Sequence, residues 1–313
     1  MEETRITIIT PCFNDSKLIS ETLGCILNQS YNCWEYFVVD DGSTDGTQEL
    51  VKKYAAKDSR LQFVQRPKTL PKGANACRNL GAEMSTGEYL IFLDSDDLLS
   101  LDALEKMSEL IEKSQPKLLV NRTRSFVIET NDRDFKPFEI ASVKSAYNAF
   151  NNYKILWSTV SVLWNKDFFN ELGCFDLKLN RFQDYELHLR ALGTMKEGEA
   201  VFFPTKSPLC FYRQSNFHKT INLEKMRMIL KDAKYVIDKS TKNFPEKLKS
   251  GFFDYLIRRY NIVFEPDDYN YLKRMREEHD LISETQIMKA QLLRPFKFNL
   301  FINKVLSYLL FKL

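Results

Sequence analysis

Three aspartates within four positions, Asp94, Asp96 and Asp97, directly follow a run of apolar residues. Like charges this close repel one another unless water, a cation or hydrogen-bond donors lie among them. In an extended segment Asp94 and Asp96, which flank Ser95, point to the same side and can reach one ligand. Mg²⁺ and Mn²⁺ bind carboxylate oxygens and can bridge the phosphates of a nucleotide. The alternative is a solvated acidic turn that caps the next helix.

A second acidic pair, Asp40 and Asp41, ends another apolar run and precedes Gly42, which permits a turn. Both carboxylates could accept hydrogen bonds from the base or the ribose of a nucleotide. Alternatively they are turn residues, just as Asp45 is suited to cap the following helix. The residues alone leave these two interpretations open.

The basic residues that could contact phosphate are Lys72 and Arg78, with Arg213 further along the chain. Neither a P-loop lysine motif nor a GxGxxG sequence follows the first apolar run, so the usual phosphate-binding loops are missing. A bound phosphate would therefore have to be held by a metal and by basic side chains. Taken singly, Lys72 or Arg78 is more simply a surface cation.

Strand and helix patterns alternate over the first 115 residues. A β-branched run at 5–13 precedes a helical pattern at 16–29, and the same alternation recurs three more times. Four such units predict an α/β fold with a mostly parallel central sheet and helices on both faces. Ligands of such sheets bind beyond the carboxyl ends of the strands, where the acidic residues fall.

The remaining chain and the composition bound the function. Beyond about residue 220 the patterns are helical, and at 313 residues we favour one large unit with a C-terminal extension over two units. A net charge of +3 without a basic arm argues against nucleic acid. Six cysteines without a CxxC pair favour reduced thiols over a zinc site. The acidic N-terminus does not resemble a signal peptide, so we expect a cytoplasmic protein.

Four segments resemble the family 2 glycosyltransferases, which have the GT-A nucleotide-diphospho-sugar-binding fold. They are ITPCFND, VVDDGSTDGT, PKGANACRNLGAEMSTGEYLIFLDSDD and FQDYELHLRAL. The resemblance implies a Rossmann-like GT-A domain at 1–220, followed by a helical C-terminal extension at 221–313. Within the domain, 1–115 would be the nucleotide-sugar-binding half and 116–220 the acceptor-binding half.

By this resemblance, residues after the first two strands bind the nucleotide. Phe13 would line or stack on the base, which is usually uracil, and Pro11 would place the adjoining backbone. Asp40, and with it Asp41, would hydrogen-bond to the base. Lys72, Arg78 and Arg213 are weaker candidates for contacts with the phosphates.

The resemblance also implies a metal site. Asp94, beside Ser95, would contact the ribose, and Asp96 would coordinate Mn²⁺ or Mg²⁺ on the diphosphate. His218 would be a second metal ligand or a diphosphate contact. It follows the tyrosine-arginine strand a few residues later than is commonest in the family.

Asp184 opens a helical pattern, and by resemblance it is the general base that removes a proton from the acceptor hydroxyl. The family usually has Glu-Asp here, whereas Gln183 precedes the aspartate in this chain. Direct displacement would invert the configuration of the sugar. The simpler alternative is an acid favoured by the positive end of a helix.

The predicted function is an inverting hexosyl or hexosaminyl transfer. The donor would be a nucleotide-diphospho-sugar, with UDP expected, and the acceptor a hydroxyl of a glycan or lipid-linked glycan in cell-surface polysaccharide synthesis. Three alternatives are a catalytically inactive glycan- or nucleotide-binding protein, a nucleotidyltransferase and a polyprenyl-phosphate sugar transferase. The first loop, TPCFNDS, contains neither glycine nor a basic residue, which disfavours the nucleotidyltransferase. Asp96 and Asp184 together disfavour the inactive protein.

The terminal segment 291–313 carries four basic residues and no acid, with a wide apolar face. It is too short and too interrupted to span a bilayer. It could pack on protein, but its aromatic and cationic residues favour peripheral contact with the inner face of the membrane.

Overall fold

The computed structural model describes residues 3–126, 133–134, 140–214, 222–246, 248–260 and 263–293. The chain forms two compact units. The first comprises Met1–Val143, Trp157–Leu179 and Met195–Ser215, and the second comprises Lys144–Leu156, Asn180–Thr194 and Asn216–Leu313. The division at residue 220 stays a prediction, because a compact unit and a functional domain need not coincide.

The strands of the described residues all belong to the first unit. They are β1 Ile6–Cys12, β2 Trp34–Asp40, β3 Leu61–Gln65, β4 Tyr89–Phe92, β5 Leu98–Leu99, β6 Leu118–Val120, β7 Thr123–Phe126, β8 Arg133–Asp134, β9 Val162–Asn165, β10 Ala200–Phe202 and β11 Cys210–Arg213. The helices are α1 Ile19–Leu27, α2 Thr47–Ala55, α3 Ala74–Met84, α4 Ala103–Ser114, α5 Val143–Asn151, α6 Lys166–Glu171, α7 Gln183–Thr194, α8 Leu223–Asn243, α9 Ser250–Tyr260, α10 Pro266–His279 and α11 Glu284–Leu293.

The central sheet has seven strands in the order β10-β6-β9-β4-β1-β2-β3. All neighbours are parallel except β9, which runs antiparallel to β4 and to β6. Every residue of β1 and β2 is buried, which is typical of parallel strands covered on both faces. The predicted α/β fold with a mostly parallel sheet and surrounding helices is therefore confirmed.

A second sheet, with the order β5-β11-β7-β8, was not predicted. The strand-like patterns at 117–128 and 200–214 contain β7 and β11, but strands of two to four residues give no sign of which strands they pair with.

Strand register brings the predicted site residues to one edge of the central sheet. Cys12 of β1 pairs with Asp40 of β2, and Ile9 pairs with Phe92 of β4. Because these strands are parallel, the segments after each of them start at the same carboxyl edge. Helix α3 packs closely below this edge, since a Cβ on Gly81 would lie 2.5 Å from Cγ2 of Ile9.

The second unit contains α7 to α11 and nearly all of α5. The helical pattern beyond residue 220 is interrupted between α10 and α11, where Asp280 has a positive φ of 53°. In the described part of the chain, no helix combines the length and apolar character needed to cross a membrane. The predicted membrane-contacting segment 291–313 lies outside the described residues, apart from the end of α11.

Candidate active site

The loop after β1 presents an aromatic ring at the carboxyl edge of the sheet. Pro11 lies within the buried strand, whereas Phe13 is 46% exposed. The ammonium group of Lys72 lies 4.0 Å from the centroid of the Phe13 ring, a cation-π contact. The two residues predicted to contact the base and the diphosphate therefore touch each other.

The carboxylate of Asp40 is fully buried and organises the turn that follows β2. Its Oδ2 accepts hydrogen bonds from the backbone N–H of Gly42 at 2.9 Å, that of Ser43 at 3.0 Å, and Nε2 of Gln48 at 2.9 Å. Gly42 has φ of 92°, which favours glycine. The sequence left Asp40 as either a nucleotide contact or a turn residue. Its contacts are those of a turn residue.

Asp41 connects the β2 turn to the loop between β3 and α3. Its Oδ1 accepts a hydrogen bond from Nε of Arg66, and its Oδ2 accepts one from the backbone N–H of Gly73 at 3.0 Å. Gly73 has φ of 130°. These contacts fix the position of Lys72, which directly precedes Gly73.

Arg78 supplies a countercharge to the acidic loop after β4, which comprises residues 94–97. Its Nη2 donates to Oδ1 of Asp94 at 2.6 Å, and its Nη1 donates to Oδ1 of Asn75 at 3.3 Å. Arg78 is only 3% exposed. Predicted as a phosphate contact, Arg78 is paired here with a carboxylate of the same loop.

Asp97 is buried, whereas Asp96 is a half-buried acid of this loop that lacks such an ion pair. Among the described residues, no Lys, Arg or His forms an ion pair with its carboxylate. Burial, followed by the charges of Asp94 and Asp15, raises the pKa of Asp96 to about 6. The Asp15 carboxylate is hydrogen-bonded to Ser95, and burial raises the pKa of Asp15 as well. A bound cation would relieve this accumulation of negative charge.

Arg213 binds both a carboxylate and a backbone carbonyl of the acidic loop. Its backbone N–H donates to Oδ1 of Asp97 at 2.8 Å, and its Nε donates to the carbonyl oxygen of Asp96 at 2.8 Å. Its Nη2 forms an ion pair with Glu21 of α1 at 2.6 Å. Thr22 completes the support, because its hydroxyl donates to the carbonyls of residues 95 and 97.

Asp15 and the Glu21–Arg213 pair were not assigned to this site from the sequence. Asp15 lies at the carboxyl end of β1, which was a usable signal. Glu21 and Arg213 are 192 residues apart, and no local pattern indicates that they meet. Arg213 was expected to contact phosphate, but its guanidinium is occupied by protein groups.

In the second unit, buried contacts fix helix α7, whose second residue is Asp184. Glu186 is fully buried and pairs with Arg190 at 2.7 Å and with Nζ of Lys239 at 2.9 Å. Oδ2 of Asp232 in α8 accepts from the backbone N–H groups of residues 180 and 181 at 3.0 and 2.8 Å. These contacts fix the start of α7, where the half-buried Asp184 lies.

His188 follows Asp184 by one helical turn. Burial lowers the pKa of His188 to about 4, against the charge of Asp184, so the imidazole is neutral at physiological pH. His218, predicted as a metal ligand, lies outside the described residues.

The described side chains fit a divalent cation that binds together with a phosphate ligand. Within the described ranges, no three Asp, Glu, His or Cys side chains converge as a protein-only metal site would require. Mg²⁺ and Mn²⁺ commonly take one or two carboxylates and complete their shell with water and substrate phosphates. The acids after β4 match that donor set.

The sequence model described as "Glycosyl transferase family 2" matches residues 7–168, just over half of the chain. The chain belongs to glycosyl transferase family 2. This confirms the family resemblance stated above, and membership indicates an enzyme that transfers sugars.

Curated relatives match part of this family 2 chain. Glycosyltransferase TuaG of Bacillus subtilis, named for teichuronic acid biosynthesis, is 39% identical over 110 residues, which are 35% of this chain and 43% of that protein. Glycosyltransferase GlyA of Streptococcus pneumoniae is 32% identical over 124 residues, 40% of this chain and 17% of that protein. The matched region thus spans less than half of either relative.

Solved structures show that this family 2 chain has the GT-A fold. S. aureus TarS 1-349 in complex with UDP-GlcNAc superposes with a TM-score of 0.64 at 14% identity, over 97% of this chain and 89% of that one. The mannosyltransferase PcManGT from Pyrobaculum calidifontis, in complex with GDP-Man and Mn²⁺, gives 0.58 at 18% identity, over 99% and 86%. At these identities the likeness establishes the fold alone.

Proposed function

We propose that the protein is a metal-dependent, inverting glycosyltransferase that moves a hexosyl or hexosaminyl group from a UDP-sugar to a hydroxyl. The observation that carries this proposal is the acidic loop after β4. Arg78 forms an ion pair with Asp94, whereas Asp96 has a raised pKa and forms no ion pair among the described residues. Such an arrangement binds a cation weakly by itself and strongly together with a diphosphate.

The donor nucleotide would bind at the carboxyl edge of β1 and β2. The exposed ring of Phe13 offers a stacking face for the base, with Lys72 above it. Asp40 and Asp41 would contribute chiefly by holding the surrounding loops, with any free lone pairs accepting from the base. The UDP-GlcNAc complex and the GDP-Man complex share one fold, so the fold does not identify the nucleotide. Our choice of UDP therefore rests on the family resemblance.

Asp96 would hold Mn²⁺ or Mg²⁺, with Asp94 and Ser95 directed to the ribose and His218 as a further contact. The cation supplies neutralisation of charge on the departing nucleotide. Arg213 would keep the loop backbone in place as the donor binds, since it grips the Asp96 carbonyl. The Mn²⁺ in the PcManGT complex supports this assignment.

Asp184 would remove the proton from the acceptor hydroxyl as its oxygen attacks the anomeric carbon. A carboxylate whose helix is fixed by buried ion pairs is suited to this task, because general bases must be held within hydrogen-bond reach of the hydroxyl. Attack opposite the leaving nucleotide inverts the sugar. A polyprenyl-phosphate acceptor would not need such a base, which favours a hydroxyl acceptor.

The acceptor would be a glycan or lipid-linked glycan of a cell-surface polysaccharide. The support is the relative named for teichuronic acid biosynthesis. We further propose that the enzyme works in the cytoplasm, with the basic segment 291–313 at the inner face of the membrane.

The test is transfer from radiolabelled UDP-sugars with Mn²⁺ or with EDTA, for the unmodified protein, Asp96→Ala and Asp184→Asn. We expect EDTA and Asp96→Ala to abolish turnover. Asp184→Asn should lower transfer by a factor of about 10² to 10⁴ while UDP still binds. Full turnover in either variant would remove that residue from its assigned role.

A further inference from the structure

An aromatic cluster surrounds the start of α7 in the second unit. Tyr153 stacks near Tyr255 of α9, with ring centroids 4.3 Å apart, and lies 5.1 Å from the ring of Tyr185. Its ring is also 4.9 Å from that of Phe252. Tyr185 directly follows Asp184, so the cluster adjoins the proposed base.

Two rings of this cluster reach the surface. Tyr153 and Tyr255 are half-buried, whereas Phe252 and Tyr185 are buried beneath them. The hydroxyl of Tyr255 lies 3.2 Å from that of Tyr260. The half-buried pair therefore combines an apolar ring surface with phenolic hydroxyls, as ligand sites for amphipathic molecules do.

The backbone at this place is held in an uncommon conformation. Tyr153 has φ of 56° and Phe182 has φ of 61°, both in the left-handed region that bulky residues rarely adopt. Tyr153 follows the end of α5, and its N–H donates to the carbonyl of Phe150 at 2.7 Å. Glycine would make this helix-ending turn without strain. The tyrosine is therefore explained by its ring and hydroxyl, not by the turn, and such strain concentrates at functional sites.

We infer that Tyr153 and Tyr255 form an acceptor platform, on which a sugar ring of the acceptor stacks with a hydroxyl directed to Asp184. One face of a pyranose presents C–H groups, which suit an aromatic face, while its hydroxyls suit phenolic and carboxylate oxygens. The ring of Tyr153 lies 5.1 Å from that of Tyr185, the residue directly after Asp184, so the platform adjoins the start of α7. This inference rests on the proposed role of Asp184.

The test measures sugar binding separately from nucleotide binding. Saturation-transfer NMR would be recorded with methyl α- and β-glycosides of glucose, galactose, mannose, N-acetylglucosamine and N-acetylgalactosamine. Titration calorimetry with UDP and Mn²⁺ would be run on the same samples. The variants are Tyr255→Leu, Tyr255→Phe and Tyr153→Phe, with Tyr54→Leu on α2 as a half-buried tyrosine control.

We expect at least one glycoside to bind the unmodified protein, and Tyr255→Leu to weaken it about tenfold or more. The two phenylalanine variants keep the rings and should weaken binding about threefold each. If Tyr255→Leu does not fold, the two phenylalanine variants still test the platform. UDP affinity and the Tyr54→Leu control should not change.

Two results would overturn the platform. One is a protein that binds UDP but none of the glycosides, and the other is unchanged glycoside binding in folded Tyr255 and Tyr153 variants. Loss of UDP binding by the unmodified protein would instead contradict the proposed function, and tyrosine-dependent glycoside binding would then leave the platform standing.

Discussion

Replacing Asp96 with asparagine should stabilise the metal-free protein while abolishing its metal-dependent function. The pKa of Asp96 is raised from its usual value of 3.8 to about 6, because burial and the charges of Asp94 and Asp15 penalise the ionised form. A shift of this size corresponds to about 3 kcal/mol, and solvent screening of the half-buried carboxylate reduces it to about 1–2 kcal/mol. The amide of an asparagine carries no charge and avoids this cost.

The direction of this pKa shift determines how the stability difference between Asp96→Asn and wild type changes with pH. The folded pKa lies above the unfolded one, so protonated Asp96 favours folding and the wild-type protein loses this contribution as pH rises from about 4 to 6. Asp96→Asn and wild type should therefore be equally stable below about pH 4. Above about pH 6 the variant should unfold about 2–4 °C higher, at roughly 2 °C per kcal/mol for a chain of this length.

The assay is thermal unfolding in EDTA from pH 4 to 8, then at pH 7.5 with Mn²⁺ and UDP. The ligands should raise the midpoint of the wild-type protein only. Asp102→Asn is a matched control with the opposite sign, since Lys106 and Ser100 hold the pKa of Asp102 below its usual range. A metal-free Asp96→Asn variant no more stable than wild type at pH 7.5 would refute the electrostatic reasoning.

Three further substitutions test contacts that hold the acidic loop, helix α7 and the central sheet in place. Arg213→Met should weaken Mn²⁺-dependent UDP binding about tenfold by releasing the acidic loop, whereas Arg60→Met, which removes an ion pair with Asp58, should not; equal calorimetric affinities would contradict this role. Asp232→Ala leaves two backbone N–H groups without their acceptor, and should cost about 1–3 kcal/mol in denaturant unfolding and slow transfer without changing UDP affinity. Glu35→Gln should cost about 1–3 kcal/mol at pH 7, because Glu35 accepts hydrogen bonds from three neighbours. Burial raises the pKa of Glu35, but these bonds outweigh it and lower the pKa, so the difference should shrink as pH falls below about 4.5; a constant difference would argue against that account.

Much of the fold was predictable because local patterns determined it. The run at 5–13 is β-branched and apolar, and it forms β1 almost where expected. The small second sheet was missed because β5 has only two residues and β8 likewise. The break between α10 and α11 was not predicted, because Asp280 adopts a left-handed conformation that aspartate tolerates without a distinct sequence signal.

The site residues were predictable by position but less so by partner. Acids at strand ends were expected to face a ligand, yet Asp40 and Asp41 are also used to hold loops together. Such uses depend on long-range contacts that spacing does not encode. The pairing of Arg78 with Asp94 joins a helix to a loop 16 residues away, and only the fold brings them into contact.

The central claim is that a divalent cation joins the acidic loop after β4 to the diphosphate of a nucleotide. Titration calorimetry of UDP into the metal-free protein, with and without Mn²⁺, tests it most directly. We expect UDP to bind one site per chain when Mn²⁺ is present. Binding of UDP should be at least about tenfold weaker in EDTA or in Asp96→Asn. Absence of UDP binding with Mn²⁺, or equal affinity in EDTA, would contradict it.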